Sequence, residues 1–104
     1  MKVSVIITTY NSEEWLAKVL EGYCNQTEKD FEVVIADDGS TEKTQEVIAS
    51  FLSKFKYPIV HVWQPDEGFQ KCKILNKAIL KTNTDYLLFT DGDCIPRKDF
   101  VAKL

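Results

Sequence analysis

The sequence predicts an α/β protein with a mostly parallel sheet of about four strands and helices on both faces. Short apolar segments alternate along the chain with longer segments whose apolar residues recur at helical spacing. Three of the apolar segments end abruptly at polar clusters, as expected for strands that lead into crossover helices. A chain of 104 residues has the length of one domain and can bury a core.

The first predicted strand is residues 2–9 (KVSVIITT), which are β-branched and nearly all apolar, as in a strand buried on both faces. Asn11 is predicted to cap the following helix, with Glu14 completing a capping box. The inward face of this helix is expected to comprise Trp15, Leu16, Val19, Leu20 and Tyr23.

The second unit repeats this order. Residues 31–36 (FEVVIA) predict a strand that ends at the cluster 37–40 (DDGS). Ser40 or Thr41 is expected to cap the second helix, and Pro58 follows its end. The apolar stripe of that helix is predicted to comprise Val47, Ile48, Phe51, Leu52 and Phe55.

Two further units follow. Residues 59–63 (IVHVW) predict a short third strand, and Gly68 precedes a helix that is expected to run to about Leu80. Residues 86–90 (YLLFT) predict a fourth strand, and Pro96 opens what resembles the start of another helix. The residues of the third helix predicted to face inward are Phe69, Cys72, Leu75 and Ile79.

The isolated large and titratable residues in these units have plain structural interpretations. Trp15 and Trp63 are expected in the core, and His61 is expected to be a strand residue with a hydrogen-bond partner rather than a catalytic base. Each crossover between parallel strands should be right-handed.

Composition and charge exclude several classes of protein. The net charge of −3 gives no basic excess to favour nucleic acid or an anionic membrane. No apolar run reaches the roughly 18 residues of a spanning helix, and the start lacks a signal-peptide pattern, so we expect a cytoplasmic location. Cys24, Cys72 and Cys94 form no CxxC pair and are predicted to be free thiols in a reducing compartment.

Polar clusters follow the first, second and fourth predicted strands, at residues 8–11, 37–40 and 91–93. Because parallel sheets bind ligands outside the carboxyl ends of their strands, we expect these clusters to meet at one edge. In the third cluster, the carboxylates of Asp91 and Asp93 are separated only by Gly92 and could reach a common Mg²⁺ or Mn²⁺ ion beside a diphosphate. The alternative is a solvated acidic turn.

The first two clusters could bind a nucleoside. Asp38 could accept a hydrogen bond from a base N–H or a ribose hydroxyl, or the acids here could merely cap the next helix. Tyr10 could stack on a base or pack in the core, and Thr8 could bind the edge of the base. Glu13 could bind ribose or lie exposed.

A cationic segment, residues 68–77, could serve the diphosphate. Lys71 or Lys73 lies near the start of the third helix, where anions are favoured, although lysines on a helix often form a solvated face. The chain lacks GxGxxG after the first strand and lacks a GxxxxGK[ST] loop, so neither usual phosphate-binding motif is present.

Four blocks in order, VSVIITTYN, VVIADDGSTEKT, DEGFQKCKILNKAI and YLLFTDGDCIP, resemble family 2 glycosyltransferases, which have the Rossmann-like GT-A fold. The similarity runs from Val3 to about Phe100. It implies an inverting transfer of sugar from a nucleoside diphosphate, most often UDP, to an acceptor hydroxyl. The site residues it implies are Thr8 and Tyr10 at the base, Asp38 at its ring N–H, Glu13 at ribose, Asp91 at ribose or metal-bound water, and Asp93 at the metal.

The chain departs from this pattern in two ways. Many relatives have Arg-Asn where this chain has Leu75 and Asn76, so Lys71 and Lys73 are substitutes for the usual cation. The second half of such enzymes, with the acceptor site and the general base, would lie beyond Leu104. The resemblance therefore implies that residues 1–104 form a truncated donor-binding domain without a catalytic base, inactive alone and prone to self-association. The acceptor, saccharide or lipid-linked sugar, stays open, as does membrane association of the full protein.

Two other classes share parts of this pattern. Receiver-like signalling domains have parallel sheets and paired acids, but their acid pair ends the first strand, whereas here Asp37 and Asp38 end the second. Nucleotidyltransferases use a related sheet, but they are expected to have a glycine-rich basic loop after the first strand, where this chain has TTYNSEEW.

Overall fold

The computed structural model describes residues 3–28, 30–54, 58–68, 70–92 and 94–103. Within these ranges, strands and helices alternate in the predicted order. The strands are β1 (Val3–Thr9), β2 (Phe31–Asp37), β3 (Ile59–Trp63) and β4 (Leu87–Asp91). The helices are α1 (Glu13–Cys24), α2 (Glu42–Leu52) and α3 (Lys71–Ile79), and a 3-10 turn spans Val101–Lys103.

The four strands form one sheet in the order β3-β2-β1-β4, and every neighbouring pair is parallel. The predicted parallel sheet is therefore confirmed. In its register Thr9 lies beside Asp37, and Thr8 lies beside Asp91. The last residues of β1, β2 and β4 consequently share one edge of the sheet, and the direction of strand order reverses at β1.

Both faces of the sheet are covered, as predicted. Odd-numbered residues of β1 and β2, such as Val5 and Ile35, pack beneath α1 and α2, whereas even-numbered ones, such as Ile6 and Val34, pack beneath α3. Side chains alternate between the faces of a strand, so burial of both faces explains the nearly continuous apolar runs. The connections from β1 to β2 and from β2 to β3 run one way across the sheet, and the connection through α3 from β3 to β4 runs back the other way. Right-handed crossovers therefore require α3 to lie on the face opposite α1 and α2, as it does.

Two predicted core residues are not in the core. Trp15 is 49% exposed and Trp63 is 50% exposed. Trp15 lies in the first turn of α1, and Lys18 Nζ lies 4.9 Å from the centre of its ring. The apolar stripe predicted for α1 therefore begins with a residue that is half-exposed. Trp63 ends the edge strand β3, and its indole N–H donates to the backbone oxygen of Ser40 at 3.1 Å. The other predicted inward residues of α1 are buried.

The inward faces of α2 and α3 also differ in part from the prediction. In α3, Ile74 and Ala78 are buried against the sheet, Leu75 is partly buried, and Cys72 and Ile79 are exposed. Apolar residues surround much of this helix, so their spacing alone did not identify the face. In α2, the predicted Ile48 and Phe51 are buried and Val47 is partly buried, but Leu52 is exposed. The predicted Phe55 and Phe69 lie outside the described residues.

The capping predictions for α1 are wrong. Ser12 occupies the N-cap position without a side-chain cap hydrogen bond, so neither Asn11 nor Glu14 forms a capping box. Asn11 instead has φ 44°, and its Oδ1 accepts from the backbone N–H of Thr41 at 2.9 Å. Ser40 Oγ accepts from the Asn11 N–H at 2.8 Å. These short polar side chains therefore join the loop after β1 to the loop after β2.

The segment after Pro96 forms turns and a 3-10 turn rather than the start of a regular α-helix. Buried Gln26 holds this segment, since its Nε2 donates to the Arg97 oxygen at 2.6 Å and its Oε1 accepts from the Val101 N–H at 2.9 Å. All three cysteines lie in the described ranges, and none of them forms a disulfide there. Among the described helices, none has the length and apolarity needed to cross a membrane.

Candidate functional site

A cleft of about 680 Å³ opens at the carboxyl edge of the sheet. It lies where the strand order reverses between β1 and β4, which is where open α/β sheets bind ligands. Its walls come from the ends of β1, β2 and β4, from the start of α1, and from the β3–α3 connection. The convergence of the three polar clusters is therefore confirmed for their described residues.

The cleft brings most of the predicted site residues together. Thr8, Tyr10, Asp38 and Asp91 all line it. Of the two candidate lysines Lys71 lines it, whereas Lys73 is exposed outside its lining. Glu13 lines a separate shallow depression beside Asn11 and the start of α2. Asp93 lies outside the described residues.

Asp91 ends β4 and interacts with both sides of the cleft. Its Oδ1 accepts a hydrogen bond from the Thr8 hydroxyl at 2.9 Å and one from Lys71 Nζ at 3.3 Å. These bonds, together with the Lys71 charge, hold the pKa of the Asp91 carboxyl below its ordinary value. The carboxylate is therefore ionised at neutral pH, and its second oxygen takes part in neither bond.

Asp38 follows β2 and is nearly buried. Its Oδ1 accepts from Gln64 Nε2 at 2.7 Å, and its Oδ2 accepts from the backbone N–H of Gln70 at 2.8 Å. A carboxylate has about four acceptor positions, so each oxygen retains capacity for a further donor. The two bonds fix the orientation of Asp38 at the wall of the cleft.

Tyr10 is half-exposed at the rim, and the alternative that it packs in the core is wrong. Its hydroxyl donates to Asp66 Oδ2 at 2.7 Å. This hydrogen bond and the charge of the carboxylate raise the pKa of the Tyr10 hydroxyl. Asp66 Oδ1 also accepts from the Gly68 N–H at 3.3 Å, so the β3–α3 connection holds the ring at the cleft.

Asp37 has a structural role beside this site. It is buried, its Oδ1 accepts from the Ser40 N–H at 2.9 Å, and its Oδ2 lies 2.8 Å from His61 Nε2. His61 thus has the partner expected of it. The turn that follows needs a glycine, because Gly39 has φ 86° and a Cβ there would lie 2.5 Å from backbone atoms of Asp66.

Sequence reasoning missed Trp15 and Asp66, and it gave no role to Thr9 within the first polar cluster, yet all three line the cleft. Asp66 stands two residues before Gly68 in a turn-like segment, a signal that could have identified it. Thr9 is buried, and among the described residues its hydroxyl has no hydrogen-bond partner.

The cleft supplies some, but not all, of the oxygen ligands that a hard cation such as Mg²⁺ needs. The described residues contain no group of three His, Cys, Asp or Glu side chains arranged around a common point. Asp91 supplies one ionised carboxylate, and Mg²⁺ sites commonly use one or two carboxylates with substrate phosphates and water as the other ligands. The residues present therefore fit a cation whose remaining ligands are water molecules or substrate phosphates.

A family model, described as Glycosyl transferase family 2, matches residues 4–104. Chondroitin synthase of Escherichia coli is 38% identical over 95 residues, which cover 90% of this chain and 14% of the relative. The crystal structure of S. aureus TarS 1-349 in complex with UDP-GlcNAc superimposes with TM-score 0.82 and 30% identity, covering 99% of this chain and 30% of that one.

A mannosyltransferase from Pyrobaculum calidifontis, PcManGT in complex with GDP-Man and Mn²⁺, superimposes with TM-score 0.82 and 27% identity over 97% of this chain and 30% of that one. The chain thus spans less than a third of the length of each of these relatives.

Proposed function

Because the chain belongs to glycosyl transferase family 2, we propose that residues 1–104 form the donor-binding domain of an inverting glycosyltransferase. The donor is a nucleoside-diphosphate sugar, and UDP-sugar is favoured because the similar TarS structure contains UDP-GlcNAc. The observation that carries the proposal is the meeting of Tyr10, Asp38 and Asp91 around one cleft at the point where the strand order reverses. Such a cleft has room for a base, a ribose and a diphosphate in sequence.

The base is recognised between Tyr10 and Asp38 in this proposal. The Tyr10 ring offers an apolar face at the rim, and Asp38 offers oriented oxygens that can accept from a ring N–H. Uracil has such an N–H between its two carbonyl groups, whereas cytosine has an unprotonated nitrogen there. A nearly buried acceptor left opposite another acceptor is costly, so this arrangement favours UDP over CDP.

The diphosphate lies between Lys71 and Asp91 in this proposal. Lys71 is the first residue of α3, so its ammonium and the helix N-terminus both favour an anion. We assign this role to Lys71 rather than Lys73, and we leave Glu13 out because it faces a separate depression. Asp91 and Asp93 would hold Mn²⁺ or Mg²⁺, which would neutralise negative charge on the departing diphosphate.

We further propose that residues 1–104 bind the donor without completing transfer. In this proposal Asp38 binds the base and Asp91 binds the cation, while Asp66 accepts from the Tyr10 hydroxyl and the Gly68 N–H. Each carboxylate among the described residues of the cleft therefore has another role, and none is left to deprotonate an acceptor hydroxyl. The acceptor, a cytoplasmic location and self-association remain predictions.

The test is calorimetric titration of the folded chain with UDP and with CDP in the presence of Mn²⁺. We expect UDP to bind more tightly than CDP. Asp38→Asn should weaken UDP binding by about tenfold and remove the preference, because one buried acceptor is replaced by a donor. Asp85→Asn, at an exposed position away from the cleft, is the matched control and should bind as the unmodified chain does.

Two results would contradict the proposal. One is the absence of heat at millimolar UDP from a chain that circular dichroism shows to be folded. The other is equal behaviour of the two variants toward UDP and CDP, which would remove Asp38 from the base site.

A further inference from the structure

Lys71 and Asp91 form an ion pair across the cleft, 3.3 Å between Nζ and Oδ1. They come from different elements, since Lys71 begins α3 and Asp91 ends β4. Their side chains are 42% and 60% exposed. Ion pairs with this degree of exposure contribute little to stability, so the pair can open when either partner is offered a better ligand.

In the proposed function, Asp91 binds a cation and Lys71 binds a phosphate. Without ligands, the Lys71 ammonium therefore lies where the cation would bind, and the Asp91 carboxylate lies where the phosphate would bind. Asp91 is a carboxylate suited to a hard cation, and Lys71 is a cation suited to a phosphate. Thr8 donates to the same oxygen of Asp91 and stays on β1 beside it, so the carboxylate keeps its orientation when Lys71 leaves. The flexible stem of Lys71 lets its ammonium swing toward an anion at the start of α3.

We propose that Lys71 is an exchangeable counterion of Asp91. It occupies the carboxylate when the cleft holds no donor, and it moves to the diphosphate when a divalent cation takes its place at Asp91. This inference rests on the proposed function and assigns a second role to a residue of that site. It predicts that removing the Lys71 charge raises the affinity for a divalent cation and lowers the affinity for the nucleoside diphosphate.

The test compares Lys71→Met with Lys73→Met, a change of the same kind two residues along the same helix and outside the cleft. Mn²⁺ is first titrated without nucleotide and followed by paramagnetic broadening of the Thr8 and Gly92 amide signals. We expect Lys71→Met to bind Mn²⁺ about fivefold more tightly than the unmodified chain, because the competing ammonium is gone. Lys73→Met should show no change.

UDP is then titrated at saturating Mn²⁺. Lys71→Met should bind UDP about tenfold more weakly, because a charge-assisted hydrogen bond to phosphate is lost. Lys71→Gln gives an independent check with a side chain that is polar but uncharged, and circular dichroism verifies folding. In an Asp91→Asn background, Lys71→Met should no longer affect Mn²⁺, because the shared carboxylate is absent.

The proposal is overturned if Lys71→Met leaves Mn²⁺ affinity unchanged, lowers it, or behaves as Lys73→Met does. Failure of Mn²⁺ to broaden either signal at millimolar concentration also contradicts it. If UDP binds neither the unmodified chain nor any variant, the proposed donor-binding function is wrong. The Mn²⁺ titration without nucleotide still reports, independently, whether Lys71 competes for Asp91.

Discussion

Neighbouring acids at the carboxyl edge of the sheet differ in the partners that surround them. Asp37 is buried and bonded to the backbone turn and to His61, whereas Asp38 faces the cleft and is oriented by Gln64 and Gln70. The acidic pair after β2 was evident from the sequence, and so was a possible role for Asp38. The division of roles was not predictable from the sequence. Gln64 and Gln70, which orient Asp38, lie in the β3–α3 connection, where hydrophobic periodicity gives no information.

This division predicts a specific effect of Asp37 on stability. Asp37→Ala should lower the free energy of unfolding by about 2–4 kcal/mol, because it leaves the buried Ser40 N–H and His61 without their acceptor. Urea unfolding of this variant beside Asp85→Ala measures the difference. A loss no larger than that of the exposed control would mean that the buried bonds of Asp37 do not stabilise the turn.

At the scale of elements, the boundaries of the strands were predictable to within about a residue, because each strand is an apolar run ended by polar residues. The inward face of α3 was not, because Cys72, Leu75 and Ile79 fit a helical stripe as well as the buried Ile74 and Ala78 do. Which stripe faces the sheet depends on where the chain enters and leaves the helix. Those positions are set by the packing of the whole fold and not by the sequence of the helix alone.

The entry of the chain into β4 depends on a buried carboxylate that periodicity does not explain. Glu32 of β2 is fully buried and accepts from the Ser4 hydroxyl at 2.5 Å, from the Asn83 N–H at 2.7 Å and from Asn83 Nδ2 at 3.1 Å. Burial alone would raise the pKa of Glu32, but the hydrogen bonds from Ser4 and Asn83 outweigh it and lower that pKa. Glu32 thus anchors the α3–β4 connection to the sheet.

Glu32 should therefore make stability depend on pH in the acid range. Its folded-state pKa is lowered, so its contribution is present above the unfolded pKa of about 4.3 and is lost as pH falls through the folded value. Glu32→Gln should be less stable near neutral pH by about 1–3 kcal/mol, because one of its donors loses an acceptor. It should also lose less stability on acidification than the unmodified chain.

Urea unfolding at neutral and at acid pH measures both effects. Parallel loss of stability in the two proteins on acidification would show that Glu32 does not contribute through its charge.

At the scale of the whole molecule, alternation of strands and helices was sufficient to predict a parallel sheet covered on both faces, and the fold is that of GT-A structures. The lateral order β3-β2-β1-β4 was not predictable, because the order of the strands along the chain is compatible with several lateral orders. Once that order is known, the cleft between β1 and β4 follows. The prediction that Trp15 lies in the core was wrong for the same reason. That Trp15 borders a cleft is evident only once the order of the strands at the carboxyl edge of the sheet is known.

The most direct test of the account is to record amide NMR spectra of the chain during titration with UDP and Mg²⁺. We predict that the largest chemical-shift changes fall on Tyr10, Gly39 and Gly92, which follow β1, β2 and β4 at one edge of the sheet. Changes concentrated at the opposite edge, near Glu32 and Asn83, or an unchanged spectrum at millimolar UDP, would contradict the placement of a nucleoside-diphosphate site in this cleft.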